Sequence, residues 1–292
     1  MSKRSIIWIA SYPKSGNTWM ASVLEVAGRG FGYPQGGYDA YHLQNTNVQP
    51  QVCDAVADGI GTYPCSVLKT HAMFQAAGLP HVFPDVEPVT AAFIHIYRNP
   101  LDVLLSYIGF TRIEYGMNID SKDYKDALFL ELLGLPRHVD YDEWRLMGID
   151  ALEQRHLDHA LDSFSERGMG IPTFIPMAGT WLDHLSSWKE AADAVPGKCL
   201  RYEDCLADPS TFNQVADLFT FGPEQISASV EFVNLRSKKM SNSGDERHRI
   251  FYNKMRSYYF SEYFSRAAID RFYAAYEGEL KGAGYGSLLE KI

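Results

Sequence analysis

The chain has 292 residues, 46% of them hydrophobic, enough to bury the core of one large α/β domain or of two modest ones. A formal net charge of −9 excludes the broad basic face of a general nucleic-acid binder, while leaving room for a local basic pocket. With no apolar run near the roughly 20 residues of a membrane span, no leader pattern, and no C-x-x-C pair among Cys53, Cys65, Cys199 and Cys205, the composition predicts a cytoplasmic protein with reduced thiols and no membrane partner.

The first element is a strand over Ile6–Ala10. It runs into the loop Ser11-Tyr12-Pro13-Lys14-Ser15-Gly16-Asn17-Thr18-Trp19, and a helix-like run follows from Met20 to Ala27. A helix start leaves backbone N–H groups unpaired and carries partial positive charge, so it suits an anion. Lys14 adds a full charge, and Ser15, Asn17 and Thr18 add side-chain donors. Gly16 lets the backbone approach a ligand closely. The stretch reads as a phosphate loop. It is not a Walker A sequence, because Lys14 precedes the glycine.

A second strand, Cys65–Lys69, ends on Lys69-Thr70-His71. A histidine at a strand end can act as a general base, since its unperturbed pKa lies near neutrality. A third strand, Ala91–Tyr97, ends on Arg98. Asn99 caps the next helix and Pro100 suits its first turn. Ser106 lies eight residues beyond Arg98, about two helical turns on. Residues 112–166 hold 13 Asp or Glu and 6 Lys or Arg, a net of 6 − 13 = −7, and read as helices and loops. His156 and His159 lie there on one helical face, but no third metal ligand stands at a fitting spacing, so they read as a solvated face.

Thr180–Ala194 is amphipathic, with Trp181, Leu182, Leu185 and Trp188 on one face. A fourth strand covers Lys198–Tyr202, Pro209 opens a helix towards Phe219, and a last helix covers Ala267–Leu280 before Gly282 and Gly284. Near-continuous apolar strands alternating with helices indicate an α/β fold: a three-layer sandwich with a central parallel sheet. Ligands of such sheets bind at the carboxyl ends of the strands, where Lys14, Lys69, His71 and Arg98 would gather.

These motifs together resemble the cytosolic-type sulfotransferases that use 3′-phosphoadenosine 5′-phosphosulfate (PAPS). That family's Tyr-Pro-Lys-Ser-Gly-Thr-Thr-Trp loop is matched by Tyr12 to Trp19 with a single departure, Asn17. Its Lys-Thr-His is matched by Lys69-Thr70-His71, and its Arg and Ser, eight apart, by Arg98 and Ser106. Gly179 to Trp188 is similar to its Gly-Ser-Trp…His-Val…Trp helix, and Tyr202-Glu203-Asp204…Asp208-Pro209 to its Tyr-Glu-Asp…Asp-Pro segment. The carboxyl-terminal Arg-Lys-Gly…Gly-Asp-Trp is poorly matched: around Asn253 to Phe260 both glycines and the tryptophan are missing.

The resemblance implies a single sulfotransferase domain over 1–292, with 112–175 as an acidic, helical insertion or lid. It implies PAPS as donor, 3′-phosphoadenosine 5′-phosphate (PAP) as product, and no metal. His71 would be the general base, with Lys14 and Lys69 stabilising the leaving phosphate. Ser15, Gly16, Asn17, Thr18 and Trp19 would hold the 5′ end, Arg98 and Ser106 the 3′-phosphate, and Tyr202 the adenine. Lys254 or Arg256 would reach the 3′-phosphate, with Arg247 and Arg249 in reserve.

Residues 31–64, 73–90 and 112–175 would frame the acceptor pocket. They suggest a small polar acceptor, cationic if the acidic segment faces it, such as an amine-bearing natural product of secondary metabolism. A homodimer is the assembly to test. The rival readings are a magnesium-dependent P-loop kinase and an inactive PAP-binding relic.

Overall fold

The computed structural model describes residues 2–28, 57–77, 86–114, 130–135, 149, 152–172, 176–242 and 256–291. They fall into two compact units. The first comprises residues 1–98, 175–179 and 183–236, and the second 99–174, 180–182 and 237–292.

The first unit holds a four-stranded parallel sheet: β1 (Ser2–Ala10), β2 (Cys65–Thr70), β3 (Val86–Tyr97) and β4 (Gly197–Arg201), in the order β2-β1-β3-β4. All four expected strands are present, β1 and β3 each extended at the amino end. The physical reason is visible in β1, where Ile6, Ile7, Trp8, Ile9 and Ala10 are all fully buried. A parallel strand covered on both faces is apolar at every position rather than at alternate ones. Ile6, Trp8 and Ala10 share one face with Leu68, Phe93 and the Trp188 ring. Ile7 and Ile9 point to the opposite face. Trp8 is accommodated because its indole N–H donates to Thr90 Oγ1 at 3.0 Å.

Helix α1 (Asn17–Ala27) follows the loop and packs on β1 and β2. Its buried stripe includes Met20, Val23, Leu24 and Ala27, spaced for one helical face. A short α2 (Phe74–Ala77) follows β2. The architecture is the α/β class expected, and β1, its loop and α1 form the expected strand-loop-helix.

In the second unit, α3 (Pro100–Glu114) starts as expected, with Asn99 Oδ1 accepting from the backbone N–H of Asp102 at 3.0 Å. Helix α4 (Gln154–Glu166) lies within the acidic segment. Trp181 opens α5 (Trp181–Ala191), whose later residues belong to the first unit.

Helix α6 (Tyr202–Ala207) begins at the tyrosine expected to close β4. Pro209–Leu218 is a 3-10 helix, capped by Asp208, which accepts from Ser210 N at 2.9 Å. Two further helices are α7 (Pro223–Ser241) and α8 (Arg266–Gly282). Among the described residues no helix is long and apolar enough to cross a membrane.

Cys65 and Cys205 are buried and Cys199 is half-buried, and burial raises the thiols of Cys199 and Cys205 to about 11 and about 12. Cys53 lies outside the described residues.

Candidate active site

The loop between β1 and α1 has two residues in the left-handed region, Lys14 (φ 70°) and Gly16 (φ 112°). Ser15 N donates to Tyr12 O at 3.1 Å and Met20 N to Gly16 O at 3.0 Å. Alternating handedness turns successive N–H groups toward one concavity, an arrangement that accepts anions. Two observations fit a phosphate there. The start of α1 has no side-chain cap and no acidic residue in its first turn. Ser15 Oγ is buried and has no hydrogen-bond partner among the described residues.

Asn17 departs from the side-chain role expected of it. Its Nδ2 donates to Ile9 O at 3.1 Å and to Thr70 O at 3.0 Å. Both acceptors are carbonyls, so the amide nitrogen must face them, and both its hydrogens are used inside the protein. Asn17 therefore has no side-chain N–H left for an anion, only its backbone N–H. Thr18 is exposed in the first turn of α1.

The carboxyl end of β2 carries Lys69 and leads into His71. His71 Nδ1 lies 2.7 Å from Ser11 O. A carbonyl can only accept, so Nδ1 carries the proton and Nε2 is the basic nitrogen of the neutral ring. Helix α5 holds the residues after His71. Trp188 Nε1 donates to Ala72 O at 3.0 Å, and Ser187 Oγ accepts from Phe74 N at 2.6 Å.

Arg98 directly follows β3 and is only 6% exposed. Its guanidinium lies over the Tyr202 ring, 4.6 Å from the centroid. A β-carbon on Gly16 would stand 2.9 Å from Tyr202 Cδ2, so the β1–α1 loop and this ring are in close contact. Trp19 backs the tyrosine edge-on at 5.1 Å, while its indole N–H donates to Asn234 Oδ1 at 2.9 Å. The first unit thus brings together the loop, Lys69, His71, Arg98 and Tyr202, with Trp19 as a support behind Tyr202.

Two residues outside the expected set lie beneath this site. His95 on β3 and His184 on α5 are fully buried, with His95 Nε2 3.1 Å from His184 Nδ1. Desolvation lowers both imidazoles, His95 to about 3 with help from the Lys189 charge, and His184 well below 6.5. The backbone of His71 and Ala72 faces His184 and offsets part of its shift. Tyr12 of the β1–α1 loop meets the His184 ring edge-on at 5.8 Å. The signal that sequence held for the pair was His95 standing inside an otherwise apolar strand.

In the second unit, Ser106 is half-buried on α3. Arg256 is ion-paired with Glu262 and lies 5.7 Å from the Tyr259 ring centroid. Lys254, Arg247 and Arg249 lie outside the described residues. The segment around Tyr258 is held from α3. The Asp102 carboxylate accepts from Tyr258 N at 2.6 Å and Phe260 N at 3.2 Å, and Tyr258 is itself left-handed (φ 58°).

His156 Nδ1 donates to Leu133 O at 3.1 Å, so this histidine is a tie within the unit rather than part of a solvated face. Several acidic residues of 112–166 are likewise engaged: Glu131 with Arg167, Glu153 with Arg155, Asp162 with Arg271, and Asp158 with Ser265 N.

Comparison with known proteins places these features in a family. A sulfotransferase domain model matches residues 4–284. Sulfotransferase 1A1 of Rattus norvegicus is 26% identical over 206 residues, 69% of this chain and 54% of the relative. The Bos taurus protein of that name is 25% identical over 209 residues, with the same shares. The chain thus spans about half the length of the curated relatives it matches. Among solved structures, mouse sulfotransferase SULT7A1 complexed with PAP aligns with a TM-score of 0.53 at 16% identity, over 98% of this chain and 87% of that one. A retinol dehydratase in complex with retinol and PAP aligns at 0.50 and 15%, over 95% and 81%. At these identities the structural likeness is one of fold.

Proposed function

Because the chain belongs to the sulfotransferase domain family, we propose that it moves the sulfuryl group of PAPS onto a hydroxyl or amine of a small polar acceptor, with His71 as general base. The observation that carries this reading is the 2.7 Å contact between His71 Nδ1 and the Ser11 carbonyl. Nδ1–H is committed to Ser11 O, which leaves Nε2 as the proton acceptor beside a phosphate loop.

PAPS, when bound, supplies the sulfuryl group and a phosphate leaving group. The chain's own residues supply position and charge. His71 Nε2 takes the proton of the attacking hydroxyl or amine. Lys14 and Lys69 set positive charge where negative charge grows on the departing phosphate. Ser15 Oγ and the backbone N–H groups of Gly16, Asn17 and Thr18 hold that phosphate at the helix start.

Arg98 suits the 3′-phosphate, because a planar guanidinium binds phosphate through two parallel hydrogen bonds. The Tyr202 ring suits the adenine. Ser106, Lys254 and Arg256 keep their proposed 3′-phosphate roles on the family resemblance. The site carries its own positive charge, and the reading requires no metal.

The family match over residues 4–284 supports reading 1–292 as one domain, and 112–175 keeps its proposed place as an acidic insertion on its composition. Since several of its carboxylates already have partners, a cationic acceptor rests on the others. We place the enzyme in the cytoplasm and take a homodimer as the assembly to test.

Thermal shift separates this reading from its rivals. PAP and PAPS are expected to stabilise the protein by about 2.7 kcal/mol at a hundred times Kd, and ATP with magnesium far less. Stabilisation by ATP–magnesium without any by PAP would overturn the proposal. PAP binding without turnover of PAPS in a mass-spectrometric screen of amine and hydroxyl acceptors would indicate a binding relic.

A further inference from the structure

We propose that Asn17 is a positioning residue that aims the base, His71, and that its side chain is not a phosphate ligand. The inference rests on the sulfotransferase reading for what His71 does, but its geometry stands alone. A carbonyl oxygen has two lone pairs and can take a side-chain donor beside a backbone one. Strands β1 and β2 run in register to Ala10 opposite Thr70.

Asn17, in the first turn of α1 and only 4% exposed, donates from one amide to the carbonyls of Ile9 and Thr70. The Thr70 carbonyl belongs to the peptide that carries His71. Ser11 N donates to the same carbonyl at 3.2 Å, and His71 Nδ1 donates to Ser11 O at 2.7 Å. Asn17, Thr70, His71 and Ser11 therefore form one connected set. Moving the Thr70 peptide moves the imidazole relative to the Ser11 carbonyl that fixes its tautomer.

Residue chemistry explains why a carboxamide stands here. The threonine of the family loop has one hydroxyl hydrogen and can serve one carbonyl at a time. An aspartate would have none and would face two carbonyl oxygens. Asn17 also joins the two halves of the site: its backbone lies at the phosphate loop and its side chain ends at the base.

The test reads the imidazole directly. Selective 15N-histidine labelling with long-range proton–nitrogen correlation gives the His71 tautomer, assigned with His71→Gln. Wild type is expected in the Nδ1–H form. Asn17→Ala and Asn17→Thr are expected to shift His71 to a mixture of tautomers, with PAP affinity by calorimetry within about threefold of wild type. An unchanged tautomer in a folded variant overturns the inference. So does a loss of PAP affinity of about tenfold with the tautomer intact, which would make the side chain a ligand. Asn17→Thr keeps one donor and a similar volume, so it serves if Asn17→Ala does not fold. The tautomer measurement needs no cofactor. A wild-type protein that binds no PAP would refute the sulfotransferase reading, while the tautomer result would still decide the role of Asn17.

Discussion

Lowering the pH from about 7.5 to about 5 is expected to destabilise the protein through His95 and His184. In the unfolded chain each imidazole takes up a proton near its ordinary value of about 6.5. In the folded chain burial holds His95 at about 3 and His184 also well below 6.5, and the Lys189 charge adds to the effect at His95. Between the two values the unfolded state binds more protons, so stability falls as the pH falls. The contribution is fully present above the unfolded pKa and is lost on the way down toward the folded one. At about 1.36 kcal/mol per pKa unit, the 1.5 units between 6.5 and pH 5 remove about 2 kcal/mol through His95 alone. His184 acts in the same direction.

That is a large share of a typical stability of about 5–15 kcal/mol. Urea unfolding at both pH values, on wild type and on a His95→Phe, His184→Leu double variant, tests it. Replacing both partners of a buried hydrogen bond by apolar groups is close to neutral, so the variant is expected to fold. Every other titrating group is shared, and the difference between the two acid losses isolates the pair. The variant, which lacks both histidines, should lose at least about 2 kcal/mol less on acidification. Equal losses in the two proteins would refute the reasoning.

Three substitutions probe the site itself. His71→Ala should lower turnover of PAPS by about 10²- to 10⁴-fold while PAP binding, measured by calorimetry, is largely retained; near-normal turnover would remove His71 from the role. Arg98→Ala removes a charged donor set expected to contribute about 1.5–3 kcal/mol, so the Kd for PAP should rise about tenfold or more. An unchanged Kd would count against the phosphate assignment. Gly16→Ala places a β-carbon 2.9 Å from Tyr202 Cδ2 at a φ of 112°, and strain of this kind costs about 1–3 kcal/mol. A melting temperature and a PAP affinity both equal to wild type would show that the loop relaxes freely.

Much of the architecture was legible because it is written locally. The four strands are legible from their apolar runs, and three of them run into the polar or charged residues that a parallel sheet presents at its carboxyl ends. The Asn99 cap, with Pro100 behind it, marked the start of α3. Helix α7 was not legible, for a physical reason. Ile226, Val230 and Val233 are buried on one face, but Phe232 and Leu235 are 55% and 63% exposed, so apolar residues occur all round and blur the helical period. The Pro209–Leu218 segment has a capped start that either helix type would share, and the structure made it a 3-10 helix.

Sequence by itself determined the chemistry available here: a lysine-bearing loop at a helix start, a histidine after a strand, and an arginine after another. Such motifs are contiguous, and their meaning depends on neighbours a few residues away. Tertiary structure decided which side-chain atoms are taken up by partners within the protein. Asn17 turns inward because the carbonyl it meets lies 53 residues further along the chain, at the end of the adjacent strand. His95 and His184, 89 residues apart, become a neutral buried pair only when β3 and α5 close over them and exclude water. A polar side chain shut off from water must bond to whatever packing brings near. That is why the loop's residues were readable in order along the chain, and the aim of the His71 ring was not.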